Sequence, residues 1–506
     1  MQIINSLVSW VNFKRMYQLE LFQKFPYDVQ SEVFFKLINR AKDTEWGKKY
    51  GYDDISSIRT FQERVPLQSY DDVHPYVERL MKGEQNVLWP SEIKWFAKSS
   101  GTTADKSKFI PVSTEALEEC HFRGGKDIMA IYTANYPETG IYSGKSLTLG
   151  GSHQINRVNN QAFYGDLSAI LIENLPFWTF FMKTPRQEIA LLAEWEEKLE
   201  KIYNNTVTED VTSLAGVPSW MLVLIKYILA QSGKDNLLEI WPNLELFMHG
   251  GVSFDPYRAQ FNKLIPSDKM NYMETYNASE GFFAIQDFPT RHDMLLMLDL
   301  GIFYEFIPLA ELEKENPKAL HIGEVEEGVN YALVISTNGG LWRYLIGDTV
   351  IFTSLYPHRI KISGRTKHFL NVFGEEVIID NAEKAIGIAC EKTGAQVKDY
   401  TAAPIFMETD KKGAHEWIIE FEVTPPSVDE FATHLDEALQ SVNSDYEAKR
   451  YKDITLDRLT LHTARPNLFY DWLKKKGKLG GQNKVPRLSN SRKYVNELLE
   501  MNKGGS

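Results

Sequence analysis

A run of hydroxyl side chains around a glycine is the first segment that can do chemistry. It reads Ser99-Ser100-Gly101-Thr102-Thr103, and Lys106 and Lys108 follow it closely. Glycine lets a ligand approach the backbone, and successive N–H groups with Ser and Thr hydroxyls can cradle phosphate oxygens. The segment lacks the GxxxxGK[ST] pattern of a Walker A loop. Its composition alone indicates either a phosphate-binding loop or a solvated Ser/Thr turn.

Two later segments each place a carboxylate in a predicted turn. The first reads Tyr276-Asn277-Ala278-Ser279-Glu280 and follows a predicted strand. Its aromatic ring can stack on a base, and its carboxylate can hold Mg²⁺ that bridges phosphates. The second, Trp342–Thr349, contains Asp348, which can accept hydrogen bonds from both hydroxyls of a ribose. Taken singly, each is also typical of an ordinary turn at the end of a strand.

A lysine near the C-terminus lies on a loop that we expect to be mobile. Gly480 and Gly481 precede Lys484 in this loop. A lysine in that position can reach a phosphate or an acyl carboxylate as a point charge. Because other lysines lie nearby in the sequence, a solvated basic tail is the alternative interpretation.

Short β-rich runs alternate with amphipathic helices along the chain, and this predicts the α/β class. Residues 368–506 carry strands and helices that can form a small sheet of their own. We therefore expect a large domain over residues 1–364 and a small domain over residues 368–506. The turn-rich, charged segment Ser363–Lys367 between them is the expected hinge.

Composition restricts the partners of the chain. The 506 residues carry a formal net charge of -12, which disfavours nucleic acid and anionic membranes because both require a basic surface. Cys120 and Cys390 have no metal-ligand spacing and predict reduced thiols. No signal peptide or spanning segment is predicted. We expect a cytoplasmic monomer or weak dimer with no nucleic-acid or membrane partner.

The order and spacing of these segments resemble the acyl-adenylating superfamily of acyl-CoA synthetases, peptide-synthetase adenylation domains and luciferases. Within it, the chain most resembles the Gretchen Hagen (auxin-responsive) acyl acid–amido synthetase family. The resemblance also covers an entry segment, a glycine pair and the late lysine segment, which are Thr60–Leu67 with Tyr70-Asp71-Asp72, His249-Gly250-Gly251, and Gln482–Arg487.

The resemblance implies a fold, a reaction and a set of contacts. The fold is a large adenylate-forming domain with mixed sheets and packed helices, followed by a small, mobile α+β lid. The reaction activates a small carboxylic acid with ATP as acyl-AMP and transfers it to an amino acid. The implied nucleotide contacts are Ser99, Ser100, Gly101, Thr102, Thr103, Lys106, Lys108, Gly250, Gly251, Tyr276, Asn277, Ala278, Ser279, Asp348 and Arg365.

Three further residues carry catalytic roles by the same resemblance. Glu280 is implied to hold Mg²⁺, and Lys367 to lie near the nucleotide phosphate. Lys484 is implied to be the mobile lysine of the adenylation step. Members of the superfamily move their small domain between the two half-reactions by a hinge motion.

The acyl pocket is weakly marked in the sequence. Arg123 can meet a substrate carboxylate, although a structural or surface arginine is the alternative. Val217 and Trp220 can line an apolar pocket or belong to ordinary core packing. Two other functions stay open at this stage, namely an acyl-CoA ligase that captures the same adenylate with a thiol, and a non-catalytic nucleotide-binding protein.

Overall fold

The computed structural model of the chain describes most of its residues. These are residues 2–99, 108–150, 155–176, 179, 181–192, 195–251, 254–288, 290–312, 314–366, 369–370, 377–405, 413–443, 446–447, 450, 456–478, 484–489 and 491–503.

The chain folds into two compact units. The first is built from Met1–Val252 and Lys263–Lys361, and the second from Ser253–Asn262, Ile362–Leu479 and Asn483–Ser506. The expected domain boundaries at 364 and 368 stay a prediction.

Helices occur in both units. In chain order α1 to α15 are Gln2–Lys24, Pro26–Ala41, Glu45–Lys49, Ile58–Arg64, Tyr70–Met81, Arg123–Asn135, Leu167–Glu173, Gln187–Ala190, Trp195–Thr206, Pro218–Ser232, Asp255–Leu264, Ile379–Thr393, Val428–Val442, Leu468–Lys475 and Lys493–Lys503. A π-helix, Ala116–Phe122, leads directly into α6. No described helix is long and apolar enough to cross a membrane.

Strands form a large mixed sheet and smaller ones. In chain order β1 to β20 are Trp95–Ser99, Lys108–Val112, Lys145–Thr148, Asn156–Arg157, Phe163–Gly165, Lys183–Thr184, Val211–Gly216, Leu246–Gly250, Asn271–Ala278, Gly281–Ile285, Met294–Leu296, Ile302–Pro308, Asn330–Thr337, Tyr344–Leu355, His358–Arg365, Phe369–Leu370, Val377–Ile378, Gln396–Ile405, Ala414–Val423 and Thr460–Thr463. The predicted α/β class is therefore confirmed.

The largest sheet has the strand order β12-β13-β14-β15-β11-β10-β9-β8-β7-β3-β6. Strands β6, β3, β7, β8 and β9 run parallel to one another. Antiparallel pairs join β9 to β10, β10 to β11, β11 to β15, and β12 and β14 to β13. A smaller sheet, β2-β1-β5-β4, carries the strands on either side of the Ser99–Lys108 segment. In the second unit, β18, β19 and β20 form a three-stranded sheet.

Local sequence explains the ends of several helices. Pro26 begins α2, where its missing N–H costs no hydrogen bond, and Phe34, Leu37 and Ile38 form the buried face. Gly233 ends α10 with a φ of 66°, which glycine adopts without strain. The apolar residues between Glu188 and Tyr203 recur with the spacing of one helix, but the structure has two helices here, α8 and α9.

A buried ion pair fastens the C-terminal end of α4 and the residues that follow it to the large sheet. Arg343 directs its guanidinium at Glu305, with Nη2 3.0 Å from Oε1, and Glu305 is fully buried. Arg343 also donates to the carbonyl oxygens of Gln62 at 2.8 Å and Val65 at 2.6 Å. Gln62 donates its amide to the same Glu305 carboxylate. The segment Thr60–Leu67, which resembles the entry segment of the family, is thus anchored by a buried ion pair.

We expect Glu305→Ala to lower the free energy of unfolding by about 3–5 kcal/mol, because the guanidinium of Arg343 would stay buried without its counter-charge. The matched control is Glu63→Ala, which breaks an exposed pair with Arg59 and should cost less than about 1 kcal/mol. Urea denaturation measures both variants. Equal losses in the two variants would show that the buried pair does not anchor this segment.

Candidate active site

A two-residue connection carries the candidate metal ligand. Strands β9 and β10 pair with Ala278 opposite Gly281, so Ser279 and Glu280 form the turn between them. Ser279 is buried and Glu280 is half-buried at the tip. A Cβ at Gly281 would lie 2.5 Å from Cδ1 of Ile302, which explains why glycine begins β10. The hairpin therefore presents the Glu280 carboxylate at one end of the large sheet.

A hydrogen bond joins two of the predicted segments. The hydroxyl of Tyr276 donates to Oδ2 of Asp348 at 2.6 Å, and both residues are buried. Tyr276 lies on β9 and Asp348 on β14, with three strands between them in the sheet order. A flat sheet would place these strands about 19 Å apart, since neighbouring strands are separated by about 4.8 Å. The sheet must therefore curl to bring the segments together.

An irregularity in β14 places Asp348. Ala332 pairs with Thr349 and Val334 with Leu345, so β14 has extra residues opposite β13 at this point. Gly347 lies inside the irregularity with a φ of 92°, which favours glycine over any residue with a Cβ. Such bulges redirect side chains next to functional sites. The bulge provides the local geometry in which Asp348 meets the hydroxyl of Tyr276.

The glycine pair lies at the carboxyl edge of the parallel strands. Gly250 ends β8 and pairs with Thr275 of β9. A Cβ at Gly250 would collide with the carbonyl oxygen of Thr275 and lie 3.4 Å from Oδ1 of Asn277. Gly251 follows with a φ of 79°. The structure thus brings Gly250 beside the Tyr276–Glu280 segment at the edge where ligands bind in parallel sheets.

The acyl-pocket candidates lie in different surroundings. Val217 precedes α10 directly after β7, at the same sheet edge as Gly250, and Trp220 lies in the first turn of α10; both are half-buried. Arg123, in contrast, pairs with Asp299, with Nη2 2.9 Å from Oδ2. A substrate carboxylate would have to compete with Asp299 for this guanidinium.

The ends of the hydroxyl-rich segment are described, although Ser100 to Lys106 lie outside the described residues. Ser99 ends β1 and Lys108 begins β2. The hydroxyl of Tyr70 accepts a hydrogen bond from the Phe109 N–H at 2.7 Å, and the Lys108 ammonium lies 5.6 Å from the centre of the Tyr70 ring. Tyr70 therefore supports the strand that follows the segment, a role that the sequence did not reveal.

The remaining predicted residues belong to the second unit. Lys367 and the side chain of Arg365 lie outside the described residues. Lys484 is half-buried and directly precedes Val485, which is 3% exposed.

Cys120 contacts the hairpin in a way that sequence reasoning missed. Its Sγ accepts a hydrogen bond from the N–H of Phe282 at 3.2 Å, beside a register shift in β10. Burial raises the pKa of the thiol to about 12, so the sulfur stays protonated. The sequence predicted a reduced buried thiol and gave no sign of this contact, because it depends on the π-helix that precedes α6.

The curled mixed sheet with its edge segments is the fold of adenylate-forming enzymes. A solved structure described as AtGH3.15 acyl acid amido synthetase in complex with 2,4-DB matches with a TM-score of 0.80 and 18% identity, over 96% of this chain and 95% of that one. A 2-hydroxyisobutyryl-CoA ligase in the postadenylation state matches with a TM-score of 0.60 and 12% identity, over 94% and 92%.

The chain belongs to the GH3 family. Its N-terminal domain model matches residues 15–270, its central domain model residues 295–365, and its C-terminal domain model residues 380–493. Among its relatives, the indole-3-acetic acid-amido synthetase GH3.3 of Arabidopsis thaliana is 24% identical over 91% of this chain and 89% of that protein. The 4-substituted benzoates-glutamate ligase GH3.12 of the same plant is 23% identical over 93% and 94%. These matches confirm the predicted resemblance.

We expect Gly347→Ala to lower the free energy of unfolding by about 1–3 kcal/mol, because a Cβ is strained at a positive φ. The matched control is Gly387→Ala within α12, where a new Cβ meets no atom within 4 Å. That control should be neutral or stabilise by up to about 1 kcal/mol. Urea denaturation compares the two. A Gly347→Ala variant as stable as the control would contradict the requirement for glycine in the bulge.

Proposed function

We propose that this chain is an acyl acid–amido synthetase. It activates a small carboxylic acid with ATP as an acyl-adenylate and then transfers the acyl group to the amine of an amino acid. The observation that carries the proposal is the hydrogen bond between Tyr276 and Asp348 on a sheet that also presents Glu280 and Gly250. Membership of the GH3 family supports the same reaction, because the two relatives described above are named an amido synthetase and a glutamate ligase.

Asp348 binds the ribose of ATP in this proposal. Its carboxylate accepts hydrogen bonds from the ribose hydroxyls, and the hydroxyl of Tyr276 holds the carboxylate in one orientation. Tyr276 is only 4% exposed and its ring packs on Phe283, with the ring centres 4.7 Å apart. Only the small exposed part of the Tyr276 ring can therefore stack on adenine. Its hydroxyl, which holds Asp348, contributes more to ATP binding than its ring does.

The other nucleotide contacts surround this pair. The backbone of Gly250 and Gly251 lines the adenine slot together with Asn277, Ala278 and Ser279. The hydroxyls of the Ser99–Thr103 segment, with Lys106 or Lys108, bind the β- and γ-phosphates. Arg365 and Lys367 contribute positive charge near the nucleotide phosphate.

Glu280 fits the requirements of Mg²⁺. This ion binds proteins through one or two carboxylates and completes its shell with phosphate oxygens and water. The half-buried Glu280 provides one such carboxylate, and the described residues contain no cluster of three or more metal-binding side chains. When bound, the ion would neutralise phosphate charge. Glu280 is the residue that would hold it.

The two half-reactions require different residues. In the first, a carboxylate oxygen of the acid attacks the α-phosphorus of ATP and pyrophosphate leaves. Because two anions must approach each other, positioning and charge neutralisation dominate the rate. Lys484 supplies a positive charge for this step. In the second, the amine nitrogen attacks the acyl carbon, AMP leaves, and the nitrogen loses a proton.

The alternative acceptor is the thiol of coenzyme A. The similarity of the fold to a 2-hydroxyisobutyryl-CoA ligase is compatible with it, but GH3 membership favours an amine. Mass spectrometry of products from ATP, a panel of acids, and either amino acids or coenzyme A separates the two. An acyl-CoA as the sole product would overturn the amide proposal. ATP binding without acid-dependent pyrophosphate release would leave a nucleotide-binding protein.

We further propose that the enzyme works in a reducing cytoplasm as a monomer or weak dimer. Both cysteines are free thiols, and Cys120 is buried. Size-exclusion chromatography with light scattering measures the oligomeric state directly.

We expect Lys484→Ala to slow acid-dependent pyrophosphate release by about 100-fold or more, since it removes a charge that acts in the transition state. The affinity for ATP should change little, because the ribose and base contacts remain. The control is Lys475→Ala, an exposed lysine at the end of α14 that loses the same charge. Normal pyrophosphate release by Lys484→Ala would remove this lysine from the mechanism.

We expect Tyr276→Phe to raise the KM for ATP by about 3- to 10-fold, the effect of losing one buried hydrogen bond. The KM for the acid should not change. Tyr304→Phe is the matched control, because its buried hydroxyl donates instead to the carbonyl oxygen of Met297 at 3.1 Å. If both variants shift the KM for ATP equally, the hydroxyl of Tyr276 does not orient Asp348 for ribose binding.

A further inference from the structure

The segment that follows Lys484 is attached to strand β18 along its length. Thr401 donates its hydroxyl to the carbonyl oxygen of Pro486 at 2.6 Å. The Ala402 N–H donates to the carbonyl oxygen of Arg487 at 2.8 Å, and the Ser489 N–H donates to that of Ala402 at 3.0 Å. The main chain after Lys484 therefore has a defined register against β18.

Two buried side chains reinforce this attachment. Val485 is 3% exposed and packs with Ala403 and Ile418, whereas Leu488 is fully buried among the residues around Trp417. Lys484 directly precedes Val485, and Arg487 directly precedes Leu488. The backbone next to Lys484 is therefore held in place by a buried side chain.

Arg487 is the only charged residue of this segment besides Lys484, and its side chain is 12% exposed. It forms an ion pair with Asp399 and donates to the carbonyl oxygen of Tyr400 at 3.2 Å. Its guanidinium lies 4.6 Å from the centre of the Tyr400 ring. These contacts orient Arg487 within the β18 region.

The remaining contact of Arg487 reaches a distant part of the chain. Its Nη2 donates to the hydroxyl of Tyr257 at 2.8 Å, across 230 positions of sequence. Tyr257 lies on α11, and residues Ser253–Asn262 belong to the same compact unit as Arg487. Tyr257 is 2% exposed, and burial raises the pKa of its hydroxyl to about 12. The hydroxyl therefore stays neutral and accepts the hydrogen bond throughout the physiological pH range.

We propose that Arg487 and Tyr257 are positioning residues for Lys484. Arg487 couples the segment after Lys484 to both β18 and α11, and the hydroxyl of Tyr257 selects one orientation of the guanidinium. An extended chain spans about 3.3–3.6 Å per residue, so the anchor acts on Lys484 at short range. This inference rests on the proposed function, because it assigns to the pair the placement of the adenylation lysine.

A purely structural role makes a different prediction. A buried hydrogen bond to a charged group stabilises the fold wherever it occurs, so its loss would lower stability and slow both half-reactions together. A positioning role acts through Lys484 alone. It should reduce the rate of adenylation, spare the affinity for ATP, and vanish when Lys484 is already absent.

The test uses the full-length enzyme and the variant Tyr257→Phe. We expect the kcat of acid-dependent pyrophosphate release to fall about 10- to 100-fold, the range that loss of one charged hydrogen bond predicts. The KM for ATP should stay within about twofold. Amide formation from supplied acyl-adenylate and amino acid should keep the wild-type rate, because Lys484 serves the first step.

The matched control is Tyr446→Phe in the same unit. Tyr446 is fully buried and donates its hydroxyl to Oδ1 of Asp436 at 2.7 Å, so this hydrogen bond does not involve Arg487. It should lower the urea midpoint as Tyr257→Phe does, while the kcat of pyrophosphate release stays at the wild-type value. Equal effects of the two variants on both half-reactions would overturn the positioning role.

A double-mutant cycle gives the sharpest readout. In a Lys484→Ala background, Tyr257→Phe should have no further effect on pyrophosphate release, because the residue through which it acts is gone. Additive effects would overturn the inference. A wild-type enzyme that releases no pyrophosphate with any acid would overturn the proposed function as well, whereas an active enzyme with an unaffected Tyr257→Phe variant would overturn this inference alone.

Discussion

The hydrogen bond from Tyr276 to Asp348 depends on nearly every large-scale feature of the first unit. It joins strands that are far apart in the sheet order, so it requires the sheet to curl. It requires the Gly347 bulge, which gives Asp348 its position, and a packed core that holds the Tyr276 ring against Phe283. Two buried polar groups satisfy each other here, as buried polar groups must. The proposed ribose contact is thus prepared before any nucleotide binds.

Arginines paired with carboxylates and the proposed phosphate-binding lysines have separate tasks in this protein. Arg343, Arg123 and Arg487 each pair with a carboxylate, and their planar guanidinium groups fix neighbouring segments by several hydrogen bonds at once. Most of the charged residues that we propose to contact phosphate are lysines, whose compact charge on a flexible stem can follow a changing substrate. In a chain of net charge -12, this division keeps positive charge available where two anions meet.

The proposed reaction depends on two kinds of contact, those that the activation of any acid requires and those that select one acid. Activation of a carboxylate by ATP requires the ribose, phosphate and metal contacts that we propose along the edges of the large sheet. We propose that the identity of the acid depends on the pocket walls near Val217 and Trp220, where half-buried side chains would select an acid by its size and shape. Because Arg123 is already paired with Asp299, we expect the acid to be recognised by apolar side chains and by the adenylation step itself rather than by this arginine.

Local features of the sequence determined the α/β class and the chemical types at Tyr276, Glu280, Asp348 and Lys484, because periodicity, glycine positions and ordered segments are read within a short window of chain. Only the tertiary structure decided the partners of these segments. It paired Arg343 with Glu305 and Arg123 with Asp299, placed Cys120 against Phe282, and joined Arg487 to Tyr257. Such contacts form between residues far apart in the chain. They depend on how the sheet curls and on which faces pack together, and no single stretch of residues determines either of these.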